Sequence, residues 1–434
     1  DDIIYFKIGK LKISIIQLIK LYMKGIYKNI KEILKLNEIE VIITCPAYFY
    51  DLQRTQLKNA VESAGFKILK MYNEPTVAGI YYINEIKKTH KIVNDNNKHI
   101  IYDLGGGTLD VTVMQYYNEF DTCEILDIRG DNSLGGLDID NILINDIYNK
   151  YQIDKDNSKW YNRIKKYAED IKIKMSYMDS YDIYLENVPI NGNIIEGLKI
   201  TYTIFMFNRL IENIINKMTE PLIEMATKYE TNNIIFIGGP TQIKLLKNVV
   251  YSRLKIMDNK YDITNGDDVL YKTIVSKGGT TMLKIIKNKE SFTLLDIIPM
   301  NIGIASKDEK MVTMINKNSK IPTSIERIFT TQHDCQRSID LDIYEGVDEL
   351  YKNNNFIGSY KIIGIPAFPR GTIIIKILFK ITNNGILNIS IDGFKNSSDN
   401  NVKSFDFKIT DDIKLIPTTL AKELFKKLLL KKNQ

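Results

Sequence analysis

Three consecutive glycines stand between two strand-like segments in IIYDLGGGTLDVTV, at residues 100–113. Glycine inside a strand costs about 0.5–1 kcal/mol relative to alanine, so a run of three needs a local reason. That reason is a tight turn, or the close approach of the backbone to a ligand. From Thr108 onward, apolar and polar residues alternate with the period of a strand. Gly105–Gly107 are therefore predicted to close a β-hairpin whose bare N–H groups can bind an anion.

Two carboxylates flank this turn, Asp103 before the glycines and Asp110 after them. Beside a bound phosphate both would be repelled unless a cation intervened, so they indicate Mg²⁺ held through water. The segment has neither the G-x-G-x-x-G of a dinucleotide loop nor the Gly-Lys-Ser/Thr of a P-loop. From these residues alone, a plain hairpin with solvent-facing aspartates remains an equal alternative.

The elements that must position the hairpin alternate between helix and strand. The predicted elements are a helix at 11–36, a strand at 39–45, a helix at 51–64, strands on both sides of the glycines, helices at 159–177 and 203–229, and a strand at 232–239. This order predicts an α/β domain with a largely parallel sheet. Two apolar strands end in glycines, IIYDLGGGT and IIFIGGPT, which suits a two-lobed domain with a ligand between related halves.

The pattern changes after about residue 290. Short alternating stretches such as SIDLDIYEG and TIIIKILFKIT follow one another, separated by Gly, Asn and Pro. This pattern is typical of an antiparallel β-sandwich. The segment KESFTLLDIIP connects the α/β region to this region of short strands.

Composition excludes several classes of protein. A chain of 434 residues allows two or three domains, and a net charge of +6 spread along it demands neither a nucleic acid nor a membrane as partner. The three cysteines lie far apart, which predicts reduced thiols rather than a zinc site or disulfides. Because the chain begins at Asp1 in an apolar helix-like segment, we expect a further segment upstream.

An ordered series of motifs resembles the 70-kilodalton heat-shock protein family of chaperones. The segments are VIITCPAYFYDLQRTQLKNAVESAGFKILKMYNEPTVAGI, IYDLGGGTLDVTV, GDNSLGGLDID, AEDIKIKMS, IIFIGGPTQI, TTQHDCQRSIDLDIYEG, IGIPAFPRG and NNGILNIS. The resemblance implies an actin-like (ribonuclease H-like) two-lobed α/β ATPase domain at 1–290, a linker at 291–296, an antiparallel β-sandwich that binds substrate at 297–410, and a short helical lid or tail at 411–434.

The resemblance also implies the nucleotide site. Gly105, Gly106, Gly107 and Thr108 would hold the β- and γ-phosphates of ATP or ADP, and Asp103 and Asp110 would hold Mg²⁺ through its water shell, with K⁺ as a further candidate ion. Glu74 would help to place the attacking water. The residues around ribose and adenine would be Gly135, Gly136, Glu169, Lys172, Ser176, Gly238 and Gly239. Leu137 and Pro240 depart from the residues that the family usually has.

Coupling and peptide binding are implied in the same way. Pro46 and Arg54 match the family's relay between the two domains, and Leu294 and Leu295 lie in the linker. Ile304, Phe329, Ile339 and Leu341 match positions that clasp an extended apolar peptide. The same four residues could equally form an ordinary sandwich core, because a peptide cleft and a core use the same residue types.

The function implied is that of an ATP-dependent chaperone that hydrolyses ATP and binds unfolded polypeptide segments. The implied partners are a J-domain co-chaperone and a nucleotide exchange factor, with no nucleic acid or membrane. The implied location is the cytoplasm, or a host cytoplasm or virion if the source were a virus. The alternative is a divergent member that hardly turns over ATP and serves as a protein-binding assembly factor.

Overall fold

The computed structural model describes residues 5–8, 11–88, 98–154, 158–256, 270–395, 404–405 and 408–411. The helices are α1 (Ile15–Leu34), α2 (Asp51–Ala64), α3 (Glu74–Lys88), α4 (Gly136–Tyr151), α5 (Ser158–Met175), α6 (Ile204–Tyr229), α7 (Lys244–Leu254) and α8 (Leu270–Asn288). The predicted helix at 411–434 lies, apart from residue 411, outside the described residues. No helix among the described residues is long and apolar enough to cross a membrane.

The first eleven strands are β1 (Tyr5–Ile8), β2 (Leu11–Ser14), β3 (Glu40–Cys45), β4 (Lys67–Asn73), β5 (Lys98–Leu104), β6 (Leu109–Tyr117), β7 (Thr122–Asp131), β8 (Ser180–Ile190), β9 (Asn193–Thr203), β10 (Ile234–Ile237) and β11 (Thr293–Ile297). The others are β12 (Asn301–Ala305), β13 (Met311–Ile315), β14 (Lys320–Ile321), β15 (Thr323–Thr330), β16 (Ser338–Gly346), β17 (Asn355–Ile363), β18 (Ile373–Ile381), β19 (Leu387–Lys395), β20 (Ser404–Phe405) and β21 (Lys408–Asp411).

The chain divides into two compact units. The sandwich unit contains Asp1–Cys45, Phe49–Tyr72 and Asp296–Gln434, and the α/β unit contains Pro46–Tyr48 and Asn73–Leu295. The division is not sequential, because β3, α2 and most of β4 belong with the later strands.

The α/β unit is built on a mixed sheet. Strand β10 lies parallel to β5, whereas β5, β6 and β7 form an antiparallel meander, and residues 293–295 of β11 lie parallel to β7. The predicted largely parallel sheet is therefore wrong at its centre, because the short turn after β5 can join only antiparallel strands. Every residue from 99 to 104 and from 109 to 116 is buried, so these central strands are covered on both faces.

The hydrophobic core of the α/β unit lies against β5 and β6 and extends to the helices that cover them. It includes Tyr102, Leu143, Ile164, Phe207 and Leu246, from one strand and four helices. This packing fixes the turn between β5 and β6 on a rigid base.

The sandwich unit contains two antiparallel sheets. One has the order β13-β12-β16-β17-β21 and the other the order β15-β18-β19-β20. Side chains from both sheets form one hydrophobic core, for example Ile343 and Ile362 from the first and Ile375, Ile377 and Phe379 from the second. A smaller core in the same unit joins α1, α2, β3 and β4 through Ile39, Val61 and Phe66.

The start of the predicted first helix is wrong by four residues. Residues 11–14 form β2, and α1 begins at Ile15 after Ser14, whose hydroxyl accepts a hydrogen bond from the Gln17 N–H. The Gln17 side chain accepts in turn from the Ser14 N–H at 3.0 Å. The S-x-x-Q pattern is a capping box and marks the true helix start.

Candidate nucleotide site

The glycine turn joins β5 to β6 and is held at its base by one hydrogen bond. The Gly105 N–H donates to the Thr108 carbonyl at 2.9 Å. Gly106 and Gly107 are exposed, and a Cβ on either would meet no atom within 4 Å. Among the described residues, no group accepts a hydrogen bond from the N–H of Gly106 or Gly107. The turn therefore presents two open backbone donors, as an anion site requires.

Three acidic side chains gather beneath this turn. Asp103 and Asp110 are buried and directly opposite each other in the β5–β6 ladder, and Glu74 is the first residue of α3. Burial, with the charges of Asp103 and Asp110 added, raises the pKa of Glu74 to about 8. Burial raises the pKa of Asp103 to about 6. This excess of negative charge favours a bound cation.

Tyr48 and Asn132 hold the Asp110 carboxylate in place, and neither residue was predicted from the sequence. The Tyr48 N–H donates to Asp110 Oδ1 at 2.8 Å, and Asn132 Nδ2 donates to the Tyr48 carbonyl at 2.7 Å. Tyr48 lies two residues after Pro46, which the resemblance did mark as a functional position. Nothing in the sequence indicates its contact with a residue 62 positions away.

The start of α4 lies directly against the glycine turn. The N–H groups of Gly136 and Leu137 donate to the carbonyls of Gly105 and Gly106 at 3.0 and 2.8 Å. A Cβ on Gly135 would lie 2.6 Å from the Gly106 backbone, so only glycine permits this approach. The structure thus joins two loops that the sequence analysis assigned to one nucleotide.

Residues predicted for the nucleoside approach the same place from α5 and from the turn after β10. Lys172 Nζ donates to the Gly136 carbonyl at 3.1 Å and to Asp140 at 2.8 Å. A Cβ on Gly136 would lie 2.7 Å from Pro240, which follows Gly239. The other predicted residues of α5 and its end are Glu169, which is exposed, and Ser176, which is buried.

Gly238 is a point where the structure requires glycine. Its φ is +88°, and a Cβ there would lie 2.0 Å from the Leu104 carbonyl oxygen. We expect Gly238→Ala to lower the free energy of unfolding by at least about 2 kcal/mol, through left-handed strain and overpacking. The measurement is urea unfolding followed by the fluorescence of Trp160, the single tryptophan, which is buried in the α/β unit.

Gly239→Ala is the matched control for this prediction. A Cβ at Gly239 would meet nothing within 4 Å, and no left-handed φ is found there. Its unfolding midpoint should stay close to that of the unchanged chain. Equal midpoints for the two variants would contradict the close packing of Gly238 on β5.

Arg54 is buried in the sandwich unit, with 5% of its surface exposed. Its Nε donates to the Phe49 carbonyl at 3.1 Å, and its Nη1 lies 3.3 Å from Cys45 Sγ. A Cβ on Gly385 would lie 3.5 Å from Arg54 Nη1, so the guanidinium lies beside the turn between β18 and β19. A residue that would be exposed on an isolated helix is thus covered by the sandwich.

The other predicted coupling residues belong to the α/β unit. Pro46 is half-buried and directly follows β3. Leu294 and Leu295 are half-buried in β11 and pair in parallel with Cys123 and Glu124 of β7. Residues 293–295 of the linker segment therefore add a strand next to β7 in the mixed sheet.

The four predicted peptide-binding residues lie in the sandwich core or against it. Ile304 and Leu341 are buried members of that core, and Phe329 and Ile339 are half-buried and packed on it. The two interpretations of these residues, cleft or core, thus share one location.

The described residues contain no group of three or more His, Cys, Asp or Glu that could hold a metal ion, so the magnesium hypothesis rests on Asp103 and Asp110.

Comparison with known proteins bears directly on the family. A sequence model described as Hsp70 protein matches residues 7–414. The chain belongs to the Hsp70 family. The chain is 32% identical over 364 residues to the chaperone protein DnaK of Thermoplasma acidophilum, and 33% identical over the same length to that of Picrophilus torridus. It is 30% identical over 378 residues to the DnaK of Ureaplasma parvum.

These matches cover 81–84% of this Hsp70 chain and 57–60% of each DnaK protein. The chain therefore spans somewhat more than half the length of the curated relatives it matches. The resemblance found in the sequence motifs is confirmed, and Hsp70 membership agrees with the mixed α/β unit and the antiparallel sheets. These relatives are archaeal and bacterial, and they give no support to a virion location.

Proposed function

We propose that this Hsp70 chain is an ATP-dependent chaperone whose glycine turn binds the phosphates of ATP. The observation that carries the proposal is that the open backbone of Gly106 and Gly107 joins the two strands on which the buried Asp103 and Asp110 lie opposite each other. A plain hairpin would have no use for two buried carboxyl groups opposite each other, which cost stability unless a cation lies beside them.

Each part of the site has a role in phosphoryl transfer, which depends mainly on positioning and charge neutralisation. The N–H groups of Gly106 and Gly107 donate to phosphate oxygens, and Thr108 lies beside them. Asp103 and Asp110 would hold Mg²⁺ through its water shell, and the ion would supply the charge that neutralises the phosphates. Glu74 accepts a hydrogen bond from the attacking water and orients it.

The nucleoside would lie where α4, α5 and the turn after β10 meet. Gly135 and Gly136 allow the close approach of α4, and Gly238 and Gly239 form the opposite wall. Lys172 is held by Asp140 beside Gly136, so its ammonium is fixed in position. Glu169 precedes Lys172 and Ser176 follows it, each by about one helical turn, so both lie on the same face as Lys172.

The wider proposal follows the family. Residues 1–290 would form the actin-like ATPase domain, and 297–410 the sandwich that binds extended apolar segments of unfolded proteins through Ile304, Phe329, Ile339 and Leu341. A J-domain co-chaperone and a nucleotide exchange factor would act on it in the cytoplasm. The relatives, all of them DnaK chaperones, do not favour the passive assembly factor.

Magnesium dependence tests the role of the two aspartates. We expect the complete natural protein to bind ATP at least about tenfold more weakly when excess chelator removes Mg²⁺, because bare carboxylates repel the phosphates. Isothermal titration calorimetry measures the affinity in both conditions. Asp103→Asn should reduce the difference, whereas Asp182→Asn in β8, outside the glycine-turn site, should leave it unchanged. Equal affinity with and without Mg²⁺ would contradict the site.

A further inference from the structure

His99 is a buried titratable side chain that the proposed nucleotide site does not use. It lies near the start of β5, and 5% of its surface is exposed. Among the described residues, neither Nδ1 nor Nε2 has a hydrogen-bond partner. A neutral imidazole has one N–H donor and one acceptor nitrogen, so burying both without partners costs free energy. The α/β unit thus retains a polar group that its packing does not satisfy.

The packing around His99 joins α3 to the mixed sheet. The His99 ring lies edge-to-face against the Tyr82 ring of α3, with the ring centroids 5.5 Å apart and an angle of 74° between the planes. Across the ladder, His99 stands opposite Met114 of β6. One turn before Tyr82, a Cβ on Gly79 would lie 2.7 Å from the Met114 side chain and 3.2 Å from that of Ile101. The imidazole is therefore enclosed between a closely packed helix and the sheet.

The charged groups near this contact do not compensate a proton on the imidazole. Tyr82 of α3 and the uncharged Met114 of β6 lie against the ring. The charged side chains that the structure describes on these elements are Glu74 and Glu85 of α3, Lys98 and Asp103 of β5, and Asp110 of β6. None of them acts on the pKa of His99, which burial alone lowers to about 4.

We propose that the contact between α3 and the sheet is acid-sensitive: it holds while the His99 imidazole is neutral, and a proton on His99 opens it. A second N–H would place a positive charge between Tyr82 and Met114, where the described residues offer it no acceptor. Attraction to the Tyr82 ring is weak beside the lost hydration of that charge. Opening of the contact lets water solvate the imidazolium.

The sign of the pH dependence follows from the two states of the imidazole. Burial lowers the pKa of His99 to about 4 in the packed state, whereas an exposed imidazole titrates near 6.5. The open state therefore binds more protons below pH 6.5, and the contribution of His99 to opening grows by about tenfold per unit as pH falls toward 4. Glu74 acts in the opposite sense, because burial, with the charges of Asp103 and Asp110 added, raises its pKa to about 8 in the packed state.

Amide hydrogen exchange isolates the His99 contribution when the complete natural protein and His99→Leu are compared without nucleotide. Protection factors of the Tyr82 amide, corrected for intrinsic exchange, are measured at pH 7 and at pH 5. The contribution of Glu74 is common to both proteins and cancels in the ratio of the variant to the unchanged protein. We expect that ratio to rise by about 20-fold from pH 7 to pH 5, as one proton bound with a pKa of about 4 or 6.5 requires.

Two controls and a second variant make the result decisive. His333→Leu removes an imidazole from an exposed position of the sandwich unit, and its ratio should stay constant. The ratio at the Ile147 amide, in α4 and in the core on the other face of β5, should also stay constant. His99→Gln, polar but not titrating, should give the same rise at Tyr82. No change with pH in either His99 variant, or an equal rise at Ile147, would overturn the proposal.

Discussion

Gly106→Val is expected to lower the affinity of the complete natural protein for Mg²⁺–ATP by at least about 100-fold. A valine side chain would occupy the open space above the turn and keep phosphate oxygens away from the N–H groups of Gly106 and Gly107. The loss of two hydrogen bonds to a charged group, at about 1.5–3 kcal/mol each, accounts for a change of that size. Calorimetric titration with ATP measures it.

The fold should survive this change, which makes the result interpretable. A Cβ at Gly106 meets no atom within 4 Å, so the hairpin has no packing to lose. Gly197→Val, on the exposed β9 strand, is the matched control, because its Cβ also meets nothing and it lies on a different hairpin. The control should bind ATP normally. Normal ATP binding by Gly106→Val would make the glycine turn purely structural.

We expect ATP to accelerate the release of a bound peptide from the unchanged protein. The double substitution Leu294→Asp/Leu295→Asp is expected to abolish this acceleration. Both leucines are half-buried in β11, which pairs with β7. Pairing of this kind is strand addition, stabilised by backbone hydrogen bonds and buried side chains. Burial of a leucine contributes about 1.5–3 kcal/mol when complete, so two charged replacements would release the strand.

The coupling free energy between ATP binding and peptide binding sets the expected change in peptide affinity. A shift of a few kcal/mol alters peptide affinity by between one and three decades. The measurement is the dissociation rate of a fluorescent apolar peptide with and without ATP. The control is Thr293→Asp, which introduces a charge at an exposed position of the same strand.

ATP binding must be measured beside the release rate. It should be retained in Leu294→Asp/Leu295→Asp, because the two leucines belong neither to the glycine turn nor to the acidic residues beside it. If the unchanged protein released peptide at the same rate with and without ATP, the two domains would be uncoupled. The passive binder would then replace the chaperone cycle as the better proposal.

Local sequence determined the elements whose signals are short-range. The glycines between an apolar strand and an alternating strand predict the hairpin, and the helix predicted at 51–64 begins at Asp51 as expected. The short alternating stretches after residue 290 likewise predict antiparallel strands. The order of the motifs was sufficient for the family, because each motif preserves a local backbone requirement such as a glycine turn.

The tertiary structure alone decided what these elements do to one another. Burial, and then the charges of Asp103 and Asp110, raise the pKa of Glu74 to about 8, and no local sequence pattern predicts that these three residues meet. The contact between Asp51 and Glu345 joins residues 294 positions apart. Side-chain types and periodicity specify which face is apolar, whereas the partner of that face depends on how the whole chain packs. The pKa of a buried carboxyl group follows from that packing, so it cannot be predicted from the local sequence.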